Sequence, residues 1–400
     1  MRIAIFDYKI TSNNPCGGCH LRLLRALARE HEFTVFSVEF DNPCPERIKW
    51  VRVPVPQRPL ALLFLTYHLL APILYWLYRL HTKTRFDIVQ MVESKLSFGA
   101  ISYAHFCHTA YLKFHWNRTR ARGMRGLLRW VDHRLHALLE KRTYQSAKQI
   151  LVPSRGLARE LQQEFPAVSH KIRVLPNAVD TKRLERPPSF NREKFRRKLG
   201  ISADEVVFAF AALGQFERKG LPLLLEALGR LDSQRVKLLV VGGEPDLIET
   251  YRKSARALRV GDRVVFVGMR SDVRPYFWAS DAFTLPSSYE TFSLVAFEAA
   301  ASSLPLLMPP LHGVEEILKD GEDGYTLNRS VESITACLAR FLALPLESRL
   351  AMAERARVAA IQYDEDRFVR NWRAFYQDWQ SGPIVGTAQP SAQASVGVLS

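Results

Sequence analysis

Twice along this chain, short apolar strand segments alternate with stretches of helical periodicity, and that alternation admits few folds. In the first half, strand patterns at 2–6, 33–38, 86–92, 100–106, 149–152 and 172–175 are separated by helical patterns at 21–29, 125–147 and 156–164. The second half repeats the scheme, with strands at 206–211, 236–241, 264–267, 281–285 and 305–308 and helices at 221–231 and 293–301. Strands connected through helices pair in parallel and bury both faces, so each half reads as an α/β unit with helices on both sides of a sheet. The expected architecture is α/β: two Rossmann-like domains facing a central cleft. The first spans 1–180 and the second 200–362. A linker at 181–199 contains Pro187, Pro188 and a dense charge cluster, a helix at 363–380 returns to the first domain, and a tail at 381–400 is expected to be disordered.

Ligands of open α/β sheets bind beyond the carboxyl ends of the strands, so the residues that follow the strands of the second half carry the chemistry. They are Gly214 and the run Arg218-Lys219-Gly220, then Gly242-Gly243, Gly268-Met269-Arg270, and Ser287-Ser288-Tyr289-Glu290. Cations and glycine turns suit a diphosphate, and carboxylates suit sugar hydroxyls. Glu290 precedes a helix and Glu298 lies on that helix, about two turns beyond Glu290. The helix start between them, around Ser293, Leu294 and Val295, offers free N–H groups and the positive end of a dipole to a phosphate.

This ordered set resembles the nucleotide-sugar-binding half of glycosyltransferase family 4, which has the GT-B fold. The family's two glutamates separated by seven residues are matched by Glu290 and Glu298, and its Pro-Ser pair by Pro286-Ser287. The run GVEEILKDGEDG from Gly313 to Gly324, the pair Lys219-Gly220, and Pro176-Asn177-Ala178-Val179-Asp180 at the domain junction complete the likeness, which extends from Gly17 to about Trp379. The resemblance implies a retaining glycosyltransferase that uses a nucleotide-sugar donor and needs neither metal nor cofactor. Glu298 would bind the ribose hydroxyls and Glu290 the donor sugar. Arg218 and Lys219 would neutralise the diphosphate leaving group, and N–H groups near Ser293–Val295 and in a Gly17-Gly18 loop would hold phosphate oxygens. Gly268 and Met269 would line the base pocket. His108, or His105 if the register differs, would stand near the transferred sugar. Gly214 is followed by Gln215 where many members have arginine, a role that falls to Arg218. The wording Phe216-x-Arg-Lys-Gly is similar to that of lipopolysaccharide-core glucosyltransferases.

The partner side rests on charge and apolarity. The formal charge is +16, and residues 1–180 hold 27 Lys and Arg against 13 Asp and Glu, whereas residues 181–400 are nearly balanced at 29 against 27. A basic half suits an anionic surface. Its charges are dispersed with no nucleic-acid-binding motif, so nucleic acid is not expected. Residues 60–78 contain no Asp, Glu, Lys or Arg but do contain five aromatics and Pro72, and basic residues follow. The segment reads as an interfacial helix, with a buried core helix and a membrane span as the other readings.

Five cysteines make no disulfide framework in a chain this long, and the N-terminus lacks a signal-peptide pattern, so a cytoplasmic location is expected, peripheral on the membrane's cytoplasmic face. Cys16-Gly-Gly-Cys19-His20 formally matches haem attachment or half a zinc site, but it lacks the export signal or second ligand pair that either requires. The acceptor is expected to be a lipid-linked or other envelope glycan. Rival readings on the same fold are a nucleotide-sugar epimerase or a phosphorylase, and beyond enzymes a non-catalytic membrane-associated binding subunit.

Overall fold

The computed structural model describes residues 1–12, 14–96, 98–119 and 123–381. The first domain contains the strands β1 (Arg2–Phe6), β2 (Glu32–Ser37), β3 (Ile48–Arg52), β4 (Ile88–Val92), β5 (Ile101–Tyr103), β6 (Gln149–Val152) and β7 (Ile172–Val174). Among the described residues they form one parallel sheet in the order β3-β2-β1-β4-β5-β6-β7. The second domain contains β8 (Val206–Ala211), β9 (Val236–Val241), β10 (Val264–Gly268), β11 (Ala282–Thr284), β12 (Leu306–Met308) and β13 (Gly324–Thr326). Their order is β10-β9-β8-β11-β12-β13, again all parallel. In both sheets the order reverses beside the first strand, which opens a crevice at the carboxyl edge between β1 and β4 and between β8 and β11.

Successive strand residues point to opposite faces, and β1 shows what each face buries. Ile3 and Ile5 pack with Leu23, Leu24 and Leu27 of the helix Pro15–Leu27. Ala4 and Phe6 pack with Tyr67, Ala71 and Tyr75 of the helix Leu60–Thr82. The final helix, Glu365–Ser381, lays Phe368, Trp372, Phe375 and Tyr376 against the first face, although it follows the second domain in the chain. The i, i+4, i+7, i+8 spacing of those residues makes one apolar stripe. The Tyr376 hydroxyl donates to Gln90 Oε1 at 2.9 Å, which ties the stripe to β4.

Two segments add detail to the expected outline. The segment 181–199 is not a free linker: it forms the helices Thr181–Leu184 and Arg192–Lys198 and belongs to the second domain. Two of its charges pack against the second domain: buried Arg196 meets Asp281 at 2.7 Å and Arg192 meets the same carboxylate at 2.5 Å. The chain changes domain at Val179, whose N–H donates to Tyr363 O at 3.0 Å, so the outward and returning crossings run side by side. The helix at 60–78 extends to Thr82 and is neither wholly buried nor wholly exposed. Leu63, Phe64, Tyr67, Ala71 and Tyr75 cover the sheet, while Leu62, Leu65, Leu69, Ile73, Trp76 and Leu80 form an exposed stripe on its opposite side. The expected disordered tail lies, beyond Ser381, outside the described residues.

Candidate active site between the two sheet edges

On the second domain the site is built from what leaves β8 and β11. After β8 the backbone turns through Gln215 at φ 55° into the one-turn helix Phe216–Lys219, then through Gly220 at φ 85°. A Cβ at Gly220 would lie 2.3 Å from the carbonyl oxygen of Pro286, so glycine is what lets the cation turn pack on the loop after β11. That packing sets the charges. Arg218 Nη1 donates to Tyr289 O at 2.6 Å and its Nε to Gln215 Oε1 at 2.8 Å. Lys219 Nζ lies 2.5 Å from Glu290 Oε1. Burial pushes the Glu290 carboxyl up, but Lys219 and Arg218 outweigh it and hold the group below its ordinary value. Glu290 is therefore an anion within a cationic collar.

Ser293 takes a left-handed conformation (φ 60°) and opens the helix Leu294–Ala301. Among the described residues its buried hydroxyl oxygen has no hydrogen-bond partner, and it lies beside first-turn N–H groups of Leu294 and Val295 that have no acceptor within the helix. Glu298 lies one turn further on. Burial raises its carboxyl to about 7, against the pull of Arg22 from the first domain. Among the described residues no hydrogen bond or ion pair holds the Glu298 carboxylate. Gly214 and Gly268 lie at the same sheet edge; Gly268 sits at φ 74°, and Met269 beyond it is 43% exposed. Buried acceptors, orphan donors and two cations on one edge make a receptor for a ligand that carries both phosphate and hydroxyls.

The first domain faces this edge with a buried polar cluster. His108 follows β5, where Glu140 accepts its N–H at 2.5 Å and that of Thr109 at 2.8 Å. Its Nδ1 meets His133 Nδ1 at 2.9 Å, and its ring stacks on His136 at 4.4 Å. His133, His136 and Glu140 share one face of the helix Gly123–Ser146, spaced by three and four residues. His108 Nε2 lies 3.8 Å from Glu93, too far for a direct hydrogen bond. Lys95 stands between Glu93 at 3.4 Å and Asp7 at 3.5 Å. Burial pushes Glu93 up, but Lys95 and His108 prevail and hold it well below the usual carboxylate range. His105 is buried under Tyr103, and burial takes its imidazole down to about 4.

Glu93, His108 and His136 bring ligand-type atoms within 4.8 Å of one another. The two imidazoles lie face to face, with 12° between their planes, so their in-plane lone pairs run side by side instead of converging on one ion. The arrangement suits hydrogen bonding to a polar ligand better than metal coordination.

The two edges touch. Tyr289, next to Glu290, packs its ring against Phe106, Tyr111 and His115 of the first domain at 5.4, 5.2 and 4.4 Å. Arg129 of the first domain reaches Gln215 Oε1 at 3.4 Å.

The family model for glycosyl transferases group 1 matches residues 191–359. That for glycosyltransferase family 4 matches residues 20–183. The chain belongs to glycosyltransferase family 4. Its fold is GT-B. This glycosyltransferase superposes with a TM-score of 0.72 on the crystal structure of WaaG, a glycosyltransferase involved in lipopolysaccharide biosynthesis, at 22% identity over 93% of this chain and 99% of that one. The Anabaena protein HepE, in complex with UDP and glucose, superposes with a TM-score of 0.71 at 17% identity over 94% and 100% of the two chains. In sequence, the glycosyltransferase is 33% identical over 175 residues to the lipopolysaccharide core biosynthesis glycosyltransferase LpsE of Rhizobium meliloti. That match covers 42% of this chain and 48%, about half, of its relative.

One site expectation for this glycosyltransferase is corrected. Gly17 and Gly18 lie in the first turns of the helix Pro15–Leu27 and not in a loop. Their N–H groups are taken by Asn14, through its side chain at 3.1 Å and its carbonyl at 2.7 Å. Gly17 is small because a Cβ there would meet Lys9 O at 2.5 Å. The residues not anticipated are Glu93, Lys95 and Glu160. The first two carried a readable signal, being charges just past an apolar strand; Glu160 lies mid-helix among other polar residues and carried none.

Proposed function

We propose that this glycosyltransferase transfers a hexose from a UDP- or GDP-sugar, with retention of anomeric configuration, to a lipid-linked or envelope-glycan acceptor. The observation that carries the reading is the grouping of Arg218, Lys219, Glu290 and the open start of the helix Leu294–Ala301 at one edge of the second sheet. The diphosphate lies across that helix start and draws on both cations. Lys219 then divides its charge between Glu290 and the departing phosphate as the sugar–oxygen bond breaks, which lowers the barrier without a metal ion. Glu290 accepts hydrogen bonds from the sugar and Glu298 from the ribose. The acceptor enters from the first domain past His108 and Glu93, and its hydroxyl attacks from the leaving-group side, passing its proton to the departing phosphate oxygen. Holding the two substrates in register between the domains supplies the remainder of the rate.

A peripheral membrane location is part of this reading. The exposed stripe from Leu62 to Leu80 lies parallel to the surface of the first domain, with Arg79, Lys83 and Arg85 at its end. An apolar face with basic flanks lies in the headgroup region of an anionic bilayer. The enzyme would then work on the cytoplasmic face.

The deciding experiment is a thermal-shift screen against UDP-, GDP- and ADP-sugars without added metal, alongside Glu298→Ala. A ligand at ~100 times its Kd stabilises by about 2.7 kcal/mol, a shift of several degrees. One nucleotide class stabilising the wild type but not the variant supports the reading. Indifference of the wild type to every nucleotide-sugar overturns it and favours a non-catalytic binding subunit. Product formed from the nucleotide-sugar alone, without acceptor, marks an epimerase instead.

A further inference from the structure

Glu290 is gripped from the other domain on both sides. The residue before it, Tyr289, donates its hydroxyl to Glu160 Oε1 at 2.8 Å. The residue after it, Thr291, accepts the Ser154 hydroxyl at its carbonyl oxygen at 2.7 Å. Ser154 and Glu160 are the N-cap and a buried member of one first-domain helix, Arg155–Glu164. The other oxygen of Glu160 accepts from His312 Nε2 at 3.0 Å, and His115 Nε2 lies 3.5 Å away. His312 can sit there because Gly156 faces it: a Cβ at that position would lie 2.4 Å from the His312 ring. The Tyr289 carbonyl in turn accepts from Arg218. One first-domain carboxylate thus holds, through the Tyr289 side chain, the loop that carries Glu290, while Arg218 keeps its bond to the Tyr289 backbone.

We infer that Glu160 is a positioning residue for transfer, coupling the approach of the two domains to the placement of Glu290 beside the donor sugar. The inference rests on the reading of Glu290 as the sugar-binding carboxylate. Glu160 touches no substrate atom; its effect passes through the Tyr289 hydroxyl. The nucleotide end of the donor site, at Glu298 and the start of the helix Leu294–Ala301, is not part of this grip. Loss of the grip therefore slows the transfer step and leaves nucleotide affinity intact, a split that general loosening of the fold does not produce. A displaced sugar-binding carboxylate costs rate out of proportion to the size of the displacement.

The test uses Tyr289→Phe, which removes one oxygen and keeps the ring packing, together with Glu160→Ala and Glu160→Gln. The probes are UDP binding by thermal shift (GDP if that nucleotide stabilises the wild type) and steady-state transfer. Tyr289→Phe is expected to lower kcat roughly tenfold, the loss of one buried hydrogen bond to a charged group, with Kd for the nucleotide within twofold of wild type. Glu160→Ala is expected to be at least as slow. Glu160→Gln, which still offers Tyr289 an acceptor, is expected to recover most of the rate. The inference is overturned if Tyr289→Phe transfers at the wild-type rate, or if it loses nucleotide affinity in step with kcat. Should Glu160→Ala fail to fold, Tyr289→Phe and Glu160→Gln decide alone. If wild-type protein binds nucleotide and transfers sugar while Tyr289→Phe is unaltered, only this inference fails. If wild type does neither, the donor-site reading fails and takes the inference with it.

Discussion

Lys219 and Glu290 are partners: 2.5 Å separates the amine from the carboxylate, with neither much exposed to solvent. On the proposed reading, the cation for the diphosphate and the anion for the sugar hydroxyls thus neutralise one another until a ligand arrives. Replacing Lys219 by Ala removes charge from the leaving group and leaves Glu290 with Arg218 as its nearer cation. The expected result is a fall in kcat of ~10²–10³-fold, in the range found when one transition-state donor is removed. Steady-state assays at saturating donor check this; a loss confined to KM would show that Lys219 binds the ground state and transition state alike.

Glu298 gives a pH dependence of known sign. Burial raises its carboxyl to about 7, while the proposed ribose contact needs the ionised form as a full acceptor. Nucleotide affinity should therefore rise with pH through that value, by about tenfold between pH 6 and 8. In the ligand-free protein the sign for stability is the reverse: a folded value above the unfolded ~4.3 favours the fold at low pH, and that contribution is lost as pH rises from ~4.3 to 7. Calorimetric titration with UDP or GDP reads the first effect, and Glu298→Gln should flatten it.

Gly220→Ala tests whether the cation turn needs its close approach. The added methyl would meet the Pro286 carbonyl in a backbone conformation that L-residues resist, so a cost of ~2–4 kcal/mol is expected. Thermal unfolding should fall by several degrees, and activity more steeply than stability, since Arg218 and Lys219 move with the turn. An alanine variant with normal melting and normal kcat would refute this account.

The exposed stripe on the helix Leu60–Thr82 predicts a change in binding without a change in folding. Leu65 and Leu69 are 56% and 65% exposed, so Leu65→Glu with Leu69→Glu should leave the melting temperature within about a degree. Co-sedimentation with vesicles containing a third phosphatidylglycerol should fall at least tenfold, because two apolar contacts become two repelled charges. Unchanged sedimentation would assign the stripe to some other partner.

The alternation of strands and helices was legible because both faces of each parallel sheet are covered, which makes central strands nearly continuous apolar runs. The edge strands β3 and β13 were not. Ile48–Arg52 carries Lys49 and Arg52, and Gly324–Thr326 is three residues long, as befits strands with one side unpaired. Arg218, Lys219, Glu290 and Glu298 could be read because motif and chemistry coincide within a few residues. The partners of Tyr289 could not. Glu160 is 129 residues away in the chain, and the contact exists only because two separately built sheets come edge to edge. Gly17 was expected in a loop and lies in a helix for a related reason: glycine is needed both in anion loops and wherever backbones touch, and composition does not separate the two.

The returning helix has a consequence for how the molecule is made. Trp372 and Tyr376 are completely enclosed against β1, β4 and the helix Pro15–Leu27, so the first domain to emerge during synthesis lacks part of its own interior. Its oily seam stays open while the entire second domain is being produced, and closes only when residue 381 has been added. A nascent chain paused in between is an aggregation hazard and a natural client for chaperones. The order of completion is thereby inverted: the earlier of the two domains in the chain is the last to be finished.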